Sequence, residues 1–339
     1  MLTPQTNRSI EGAYVSLLEQ ATEQTEHHIG ARGNNAREVI GVGFRLPDAR
    51  QRLPYLRKRK VNPVFHYAEA LWHLAGRRDL AMLVNYALTI ASDSRDGVHL
   101  DGSAYGNVLF TPAAGDTLSP FDRVMNLLRE EKDSKRGYLP VFSPTELVDR
   151  DNPSVSCLAG LHLLPRDGRL HMVVHMRAND LDCGLLSDVF SFTMIQEYAA
   201  IQLGLMLGSY THYIGSAHVN DSNSDRAKRV IDEARTRLAP ITFAFPAMPD
   251  DTDAGTIARV LEHEELLRTN RAQYTADDIG ALDLAPYWQQ AVLLFELHRQ
   301  IKNDHTDKVT HDVLAALWPG LRWLAGHRWE ACAQDGGEL

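Results

Sequence analysis

The stretch from residue 136 to 220 constrains the fold of this chain more than any other. Tyr138–Phe142, Ser154–Leu164 and Leu170–Met176 have the composition of strands, and Pro165-Arg166-Asp167-Gly168 joins the last two as a tight turn. A long apolar helix over about Val189–Leu207 follows, then a strand at Ser209–Ile214. Strands interleaved with long helices predict an α/β (α+β) fold with a large mixed sheet, mainly antiparallel and flanked by helices.

Upstream, residues 12–28 read as a helix with Tyr14, Leu17 and Leu18 on one side. A glycine-bearing loop, Gly30-Ala31-Arg32-Gly33-Asn34-Asn35, leads into a short strand over Val39–Phe44. Pro63 opens a strong helix, Val64–Ala75, because a proline in the first turn gives up an N–H that has no partner there anyway. A second helix covers about Asp79–Ile90. Beyond a strand at Ile241–Phe245, residues from about 252 to 332 are helical and polar-patterned. The expected division is a main unit over 1–250 and a helical extension over 251–339 packed on the same domain.

At 339 residues the chain can bury a sizeable core, and its 44% hydrophobic and 23% charged residues are the balance of an ordinary soluble protein. No apolar run approaches the roughly 18 residues of a membrane span. The start, MLTPQTNRSIEGAYVSLLEQ, lacks the basic-then-apolar layout of an export signal. Cys157, Cys183 and Cys332 share no metal-ligand spacing and cannot all pair within one chain. That favours a reducing, cytoplasmic setting in which one thiol is available for chemistry. The net charge of −9 argues against a nucleic-acid polymer as partner. Arg57-Lys58-Arg59-Lys60 and Lys135-Arg136 are local exceptions, and a solvated charged face is the simplest reading of either.

Cys157, in Asn-Pro-Ser-Val-Ser-Cys-Leu-Ala-Gly-Leu-His, lies in a strand-like stretch, where a lone cysteine is ordinarily a small buried hydrophobe. Its context changes that reading. Arg177-Ala178-Asn179-Asp180 comes 20 residues later, then Gly184-Leu185-Leu186-Ser187-Asp188, then Gly215-Ser216-Ala217-His218-Val219-Asn220. Upstream stand Tyr67-Ala68-Glu69-Ala70-Leu71-Trp72-His73-Leu74-Ala75-Gly76, Tyr105-Gly106 and Ser134-Lys135-Arg136. In this order, over residues 12 to 225, the chain resembles the thymidylate synthases. Their nucleophilic cysteine precedes an Arg-Ser-x-Asp segment, a Leu-Gly-Leu-Pro-Phe-Asn base-reading segment and a Gly-Asp-x-His-x-Tyr ribose segment. A His-Glu-Leu-Leu-Trp-Phe-Leu-x-Gly helix, a Tyr-Gly pair and a Ser-Arg-Arg run lie upstream.

The resemblance implies that Cys157 is the nucleophile and Glu69 the general acid/base. It implies a phosphate held by Arg32, Arg177 and, in a homodimer, the partner subunit's Lys135 and Arg136. Ser216, His218 and Asn220 fall on the ribose segment. Asp180, Tyr105, Ala91 and the basic pair Arg59 and Lys60 fall on the side of the co-substrate, 5,10-methylenetetrahydrofolate. The chemistry agrees with the residue types. A pyrimidine C5 is a poor nucleophile until a thiolate adds at C6, nearby guanidinium groups favour the thiolate, and an arginine fork suits a phosphate. Proton shuttling at the base edge needs a carboxylate within reach.

Three departures from the family pattern point to a different reaction. Asp188 stands where the family has its base-reading asparagine. A carboxylate accepts from the N4 amine of cytosine, and a proton shared at N3 completes the pair, so a cytosine nucleotide is expected. Aspartate here is what the nucleotide hydroxymethylases of this superfamily carry; its simpler reading is a cap on the helix starting at Val189. Ala91 and Ser94 fall where the family has two tryptophans that shelter the exocyclic methylene. Small residues admit water, so hydroxymethylation is expected over methylation. Lys135, Ala178 and Asn220 replace an arginine, a serine and a tyrosine, enlarging the sugar pocket. The Lys135/Ala178 combination is similar to the CMP hydroxymethylases of mildiomycin-type nucleoside-antibiotic biosynthesis, so CMP is preferred to dCMP.

His171 and His175 share a strand face without chelating geometry, so no metal is expected. The family's apolar C-terminus is not recognisable in Gln-Asp-Gly-Gly-Glu-Leu. A pyrimidine nucleotide methylase, a catalytically idle nucleotide binder and a cysteine hydrolase using His162 or His218 are the alternative readings.

Overall fold

The computed structural model describes residues 3–31, 33–304 and 308–333. Among them, seven strands form one sheet: β1 (Gln5–Thr6), β2 (His27–Ala31), β3 (Asn34–Leu46), β4 (Tyr138–Pro140), β5 (Leu158–Arg166), β6 (Arg169–Asp180) and β7 (Met206–Asn220). The order across it is β1-β3-β7-β6-β5-β4, with β2 pairing onto β3 off this path. β1/β3 and β6/β7 are parallel and the other pairs antiparallel, so the sheet is mixed and mainly antiparallel.

The β5–β6 turn follows from its sequence. Asp167 and Gly168 sit at φ of 50° and 72°, the double left-handed geometry that matches strand twist in a two-residue hairpin. β6 and β7, being parallel, need a crossover.

The helices are α1 (Ile10–Glu23), α2 (Pro63–Leu74), α3 (Leu80–Val84), α4 (Tyr105–Phe110), α5 (Pro120–Glu130), α6 (Leu185–Gln202), α7 (Ser224–Thr236), α8 (Ala254–Arg268), α9 (Ala276–Gly280), α10 (Pro286–Arg299), α11 (His311–Ala316) and α12 (Pro319–Arg328). α6 makes the β6–β7 crossover and is buried almost throughout, between the sheet and α2, which explains its unbroken apolar sequence. Asn62 caps α2, accepting from Phe65 N at 3.0 Å.

Several elements differ from the sequence reading, each for a packing reason. The first helix ends at Glu23, because His27–Ala31 forms a hairpin with Asn34 to Glu38 of β3. β3 and β7 extend well beyond Val39–Phe44 and Ser209–Ile214, each supplying the other's long antiparallel ladder. The helix expected over Asp79–Ile90 stops at Val84: Leu80, Met82 and Leu83 are buried, but Leu88 is 80% exposed and has nothing to pack on. A 3₁₀ turn, Leu88–Asp93, follows. Ile241–Phe245 is not a strand. Its alternating side chains do turn inward, Phe243 onto Tyr55 and Phe245 onto Trp318, but its backbone joins no ladder.

The tail is helical as its pattern predicts. α10 lies between α8 and α2, with Trp288 and Phe295 buried in a core continuous with that under the sheet. No helix among the described residues is long and apolar enough to cross a membrane.

Candidate active site

Cys157 sits just before β5, against the end of β6. Its carbonyl accepts from Arg177 N at 2.9 Å, and the preceding Ser156 N donates to Glu146 Oε2 at 2.7 Å. Glu146 also accepts from Ser143 N at 2.8 Å, fastening the 3₁₀ turn Pro144–Leu147 to the cysteine segment. The Arg177 guanidinium folds over the same segment, donating to the carbonyls of Ser156 (2.7 Å) and Val155 (2.8 Å), with Nη2 3.6 Å from Cys157 Sγ. A fixed cation beside sulfur favours a thiolate over a thiol. β7 comes this close to β6 because residue 215 is glycine: a Cβ there would lie 2.7 Å from the Arg177 carbonyl oxygen.

Tyr105 marks the centre of the cluster. Its hydroxyl feels the charges of Asp188, Cys157, Glu69 and Arg177, and burial pushes its pKa well up. The ring stacks on His73 of α2 at 5.5 Å. Gly106 permits this approach, since a Cβ there would lie 2.1 Å from the His73 carbonyl oxygen.

α2 and α6 bring two carboxyls to the cluster. Both retain partial solvent access yet lie deep among protein atoms. Burial, then the neighbouring Asp188 charge, pushes Glu69 up to about 8, against opposing hydrogen bonds from Ser191 and Ser187. Ser191 Oγ lies 3.4 Å from Glu69 Oε2. Burial pushes Asp188 up to about 7, opposed by the Asn179 amide, which donates to Oδ2 at 2.8 Å. Each carboxyl is thus able to hold or release a proton near neutrality.

The sugar-side candidates and Asp180 lie along β6 and β7, whereas the other folate-side candidates lie outside the sheet. Ala178 pairs with Ser216 and Asp180 with His218 across the two strands. Ser216 donates to Glu38, and Asn220 Nδ2 donates to Asp180 Oδ2 at 2.7 Å. Asp180 Oδ1 accepts from the backbone N–H groups of Asp182 (2.9 Å) and Cys183 (3.0 Å). His218 Nδ1 is buried without a hydrogen-bond partner. Arg59 reaches the Asp182 carbonyl at 2.5 Å, while its Nε is buried and unpartnered, and Lys60 follows at φ 48°. Ala91 lies exposed on the 3₁₀ turn, and Ser94 donates to the His99 carbonyl at 2.6 Å. Arg32 lies outside the described residues.

Lys135 and Arg136 are not brought to this cluster within the chain. They lie beside the far half of β5, where Leu163 N donates to the Gly137 carbonyl at 2.8 Å, and Arg136 pairs with Glu131. Six residues of strand separate Leu163 from Cys157, roughly 20 Å. His162, offered as an activator of Cys157, instead holds the Lys135 carbonyl at 2.9 Å. His171 bonds Ser209 Oγ at 2.9 Å and His175 stacks on Tyr213, and no metal-holding group of three His, Cys, Asp or Glu occurs among the described residues.

The sequence profile of the family described as thymidylate synthase matches residues 12–257. The chain belongs to the thymidylate synthase family. A deoxyuridylate hydroxymethyltransferase of Bacillus phage SP01 is 26% identical over 262 residues, covering 74% of this chain and 65% of that protein's length. A second, of Pseudomonas phage M6, is 25% identical over 342 residues, covering 92% and 93%. A thymidylate synthase of Symbiobacterium thermophilum is 26% identical over 291 residues, covering 81% and 95%. Among solved structures, the thermostable thymidylate synthase A of Bacillus subtilis superposes with a TM-score of 0.53 at 22% identity, over 66% of this chain and 84% of that one. The fold is therefore thymidylate synthase-like.

Sequence reasoning left Asn179, His212, Glu146 and Ser191 without roles, although each contacts the cluster or its supports. The available signal for two of them was a polar residue at a core position of a strand: Asn179 and His212 are buried at 3% and 0% exposure in β6 and β7.

Proposed function

We propose that this chain is a nucleotide 5-hydroxymethylase that transfers a one-carbon unit to C5 of a cytosine nucleotide, CMP in preference to dCMP. The observation that carries the reading is a carboxyl, Asp188, at the base-reading position beside Glu69 and the Cys157–Arg177 pair. Near neutrality a carboxyl with a pKa of about 7 offers an acceptor to the cytosine N4 amine and a proton to N3. An asparagine in that place suits uracil instead.

Cys157 Sγ bonds to C6, which makes C5 nucleophilic. Methylenetetrahydrofolate supplies the one-carbon unit when bound. Glu69 relays protons at the base edge, where its raised pKa suits both giving and taking a proton. The C5 hydrogen leaves as a proton, water adds to the exocyclic methylene, and the sulfur departs from C6. No hydride is used, so tetrahydrofolate leaves unoxidised. The small side chains of Ala91 and Ser94, aligned with the family's two tryptophans, leave room for that water.

Asp180, Arg59 and Lys60 fit the co-substrate. The Arg59 side chain bonds the Asp182 carbonyl in the turn that Asp180 organises, which sets a cation beside the Asp180 turn for an anionic tail. Arg177 and Arg32 hold the nucleotide phosphate together with the partner subunit's Lys135 and Arg136 in a homodimer. Their distance from Cys157 within one chain supports that sharing. The absence of a disulfide among the three cysteines fits a cytoplasmic setting.

A second reading is hydroxymethylation of deoxyuridylate, favoured by the names of the two phage relatives. Release of tritium from C5-labelled CMP and from C5-labelled dUMP separates the two. Release from dUMP alone would overturn the cytosine assignment.

A further inference from the structure

Behind Asp188 lies a buried polar chain with a fixed direction. Asn179 Nδ2 donates to Asp188 Oδ2 at 2.8 Å, and Asn179 Oδ1 faces His212 Nε2 at 3.0 Å. His212 Nδ1 in turn faces the Tyr210 hydroxyl at 2.6 Å. Tyr210 and His212 are fully buried, and His212 stacks on Phe44 at 5.2 Å. Burial holds the His212 pKa down near 3, so the ring is neutral and carries one proton. That proton must be on Nε2 to satisfy the Asn179 carbonyl oxygen, which leaves Nδ1 to accept from Tyr210. The donors therefore run one way: Tyr210 to His212, His212 to Asn179, Asn179 to Asp188.

A carboxylic acid alone cannot tell the two pyrimidine edges apart. Moving its proton from one oxygen to the other exchanges donor and acceptor, and so exchanges complementarity to cytosine for complementarity to uracil. We propose that Asn179, oriented by His212 and Tyr210, is a specificity-determining positioning residue that keeps the proton off Asp188 Oδ2 and so fixes the order of acceptor and donor shown to the base. An N–H directed at Oδ2 is compatible with an acceptor there and opposes an O–H. The proton then resides on Oδ1. If the Tyr210 hydroxyl is removed, His212 is free to carry its proton on Nδ1. The Asn179 amide can then rotate to turn its carbonyl oxygen toward Asp188, which invites the proton onto Oδ2. This rests on the reading of Asp188 as the base-facing group given above.

The test is competition between CMP and UMP in one reaction, for the wild type, Tyr210→Phe, Asn179→Leu and Asp188→Asn. Tyr210→Phe deletes one buried oxygen and keeps the ring. It is expected to shrink the wild-type preference between the two bases by about tenfold, the scale of one misdirected buried hydrogen bond. KM should rise for the preferred nucleotide and fall for the other. A general packing fault cannot produce that opposite pair of changes. Asn179→Leu should shrink the preference at least as far. If Asp188→Asn alters the base ratio while Tyr210→Phe and Asn179→Leu leave it unchanged, the relay has no part in specificity and the inference is overturned, with base reading by residue 188 intact. If Asp188→Asn also leaves the ratio unchanged, both fall. A wild type that prefers UMP removes the cytosine assignment alone, and the relay is then judged by whether Tyr210→Phe shrinks that preference.

Discussion

The Arg177 guanidinium lies 3.6 Å from the sulfur of Cys157, while the Arg177 backbone N–H holds the Cys157 carbonyl at 2.9 Å. One residue thus fixes the position of the thiol and supplies its counter-charge. Removal of the sulfur and removal of the cation are therefore expected to act differently. Cys157→Ser should abolish turnover and spare nucleotide affinity within a few-fold, as measured by calorimetric titration with CMP. Arg177→Ala should weaken nucleotide binding as well, since the same fork is proposed to hold phosphate. Turnover surviving in Cys157→Ser would remove the nucleophile assignment.

The second prediction concerns pH. Glu69 and Asp188 titrate as a coupled pair with pKa values raised to about 8 and about 7. With Asp188 needing its proton for N3 and Glu69 needing one to act, kcat/KM for CMP falls as pH rises through about 7 and again through about 8, and Glu69→Gln removes the second step while lowering the plateau by about 10²–10⁴. A pH–rate profile of both enzymes checks this. An unchanged second step in Glu69→Gln would assign it to another group.

The same carboxyls also cost stability. A folded-state pKa above the unfolded value means that the folded chain binds more protons between about 4.5 and 8, so stability falls as pH rises across that window. Glu69→Gln should therefore raise Tm at pH 8, by a stability on the order of 1–3 kcal/mol, and have little effect at pH 4. Thermal unfolding at the two pH values tests it. A lower Tm at pH 8 would contradict the sign.

Sharing of sites between subunits is the fourth. Cys157→Ala and Arg136→Ala are each expected to be inactive or nearly so. Mixed after reversible dissociation, they should recover roughly a quarter of wild-type activity, because half the dimers are mixed and each mixed dimer has one intact site. No recovery, with mixed dimers confirmed by mass spectrometry, would place Lys135 and Arg136 outside the phosphate site.

Much of this was legible in the chain because its signals were local. The Asp167-Gly168 turn, the proline at the head of α2 and the apolar run of α6 each state a backbone geometry or a burial demand within a few residues. The cluster around Tyr105 was legible only through ordered motifs, since Glu69, Cys157, Arg177 and Asp188 meet by tertiary packing. Ile241–Phe245 shows the limit of period-two alternation: the side chains alternate as in a strand, but ladder partners are set elsewhere. The helix read over Asp79–Ile90 failed because Leu88 finds no apolar neighbour. The direction of the Tyr210–His212–Asn179 chain could not be read from sequence, since it depends on which atoms face each other across β6, β7 and α6.

The most direct measurement is a mass-spectrometric product assay with CMP, dCMP, UMP and dUMP, each supplied with methylenetetrahydrofolate, while dihydrofolate is followed by absorbance. A hydroxymethylated cytosine nucleotide, CMP ahead of dCMP, without dihydrofolate, is the predicted result. A methylated product accompanied by dihydrofolate, or no modified nucleotide from any of the four, would contradict it.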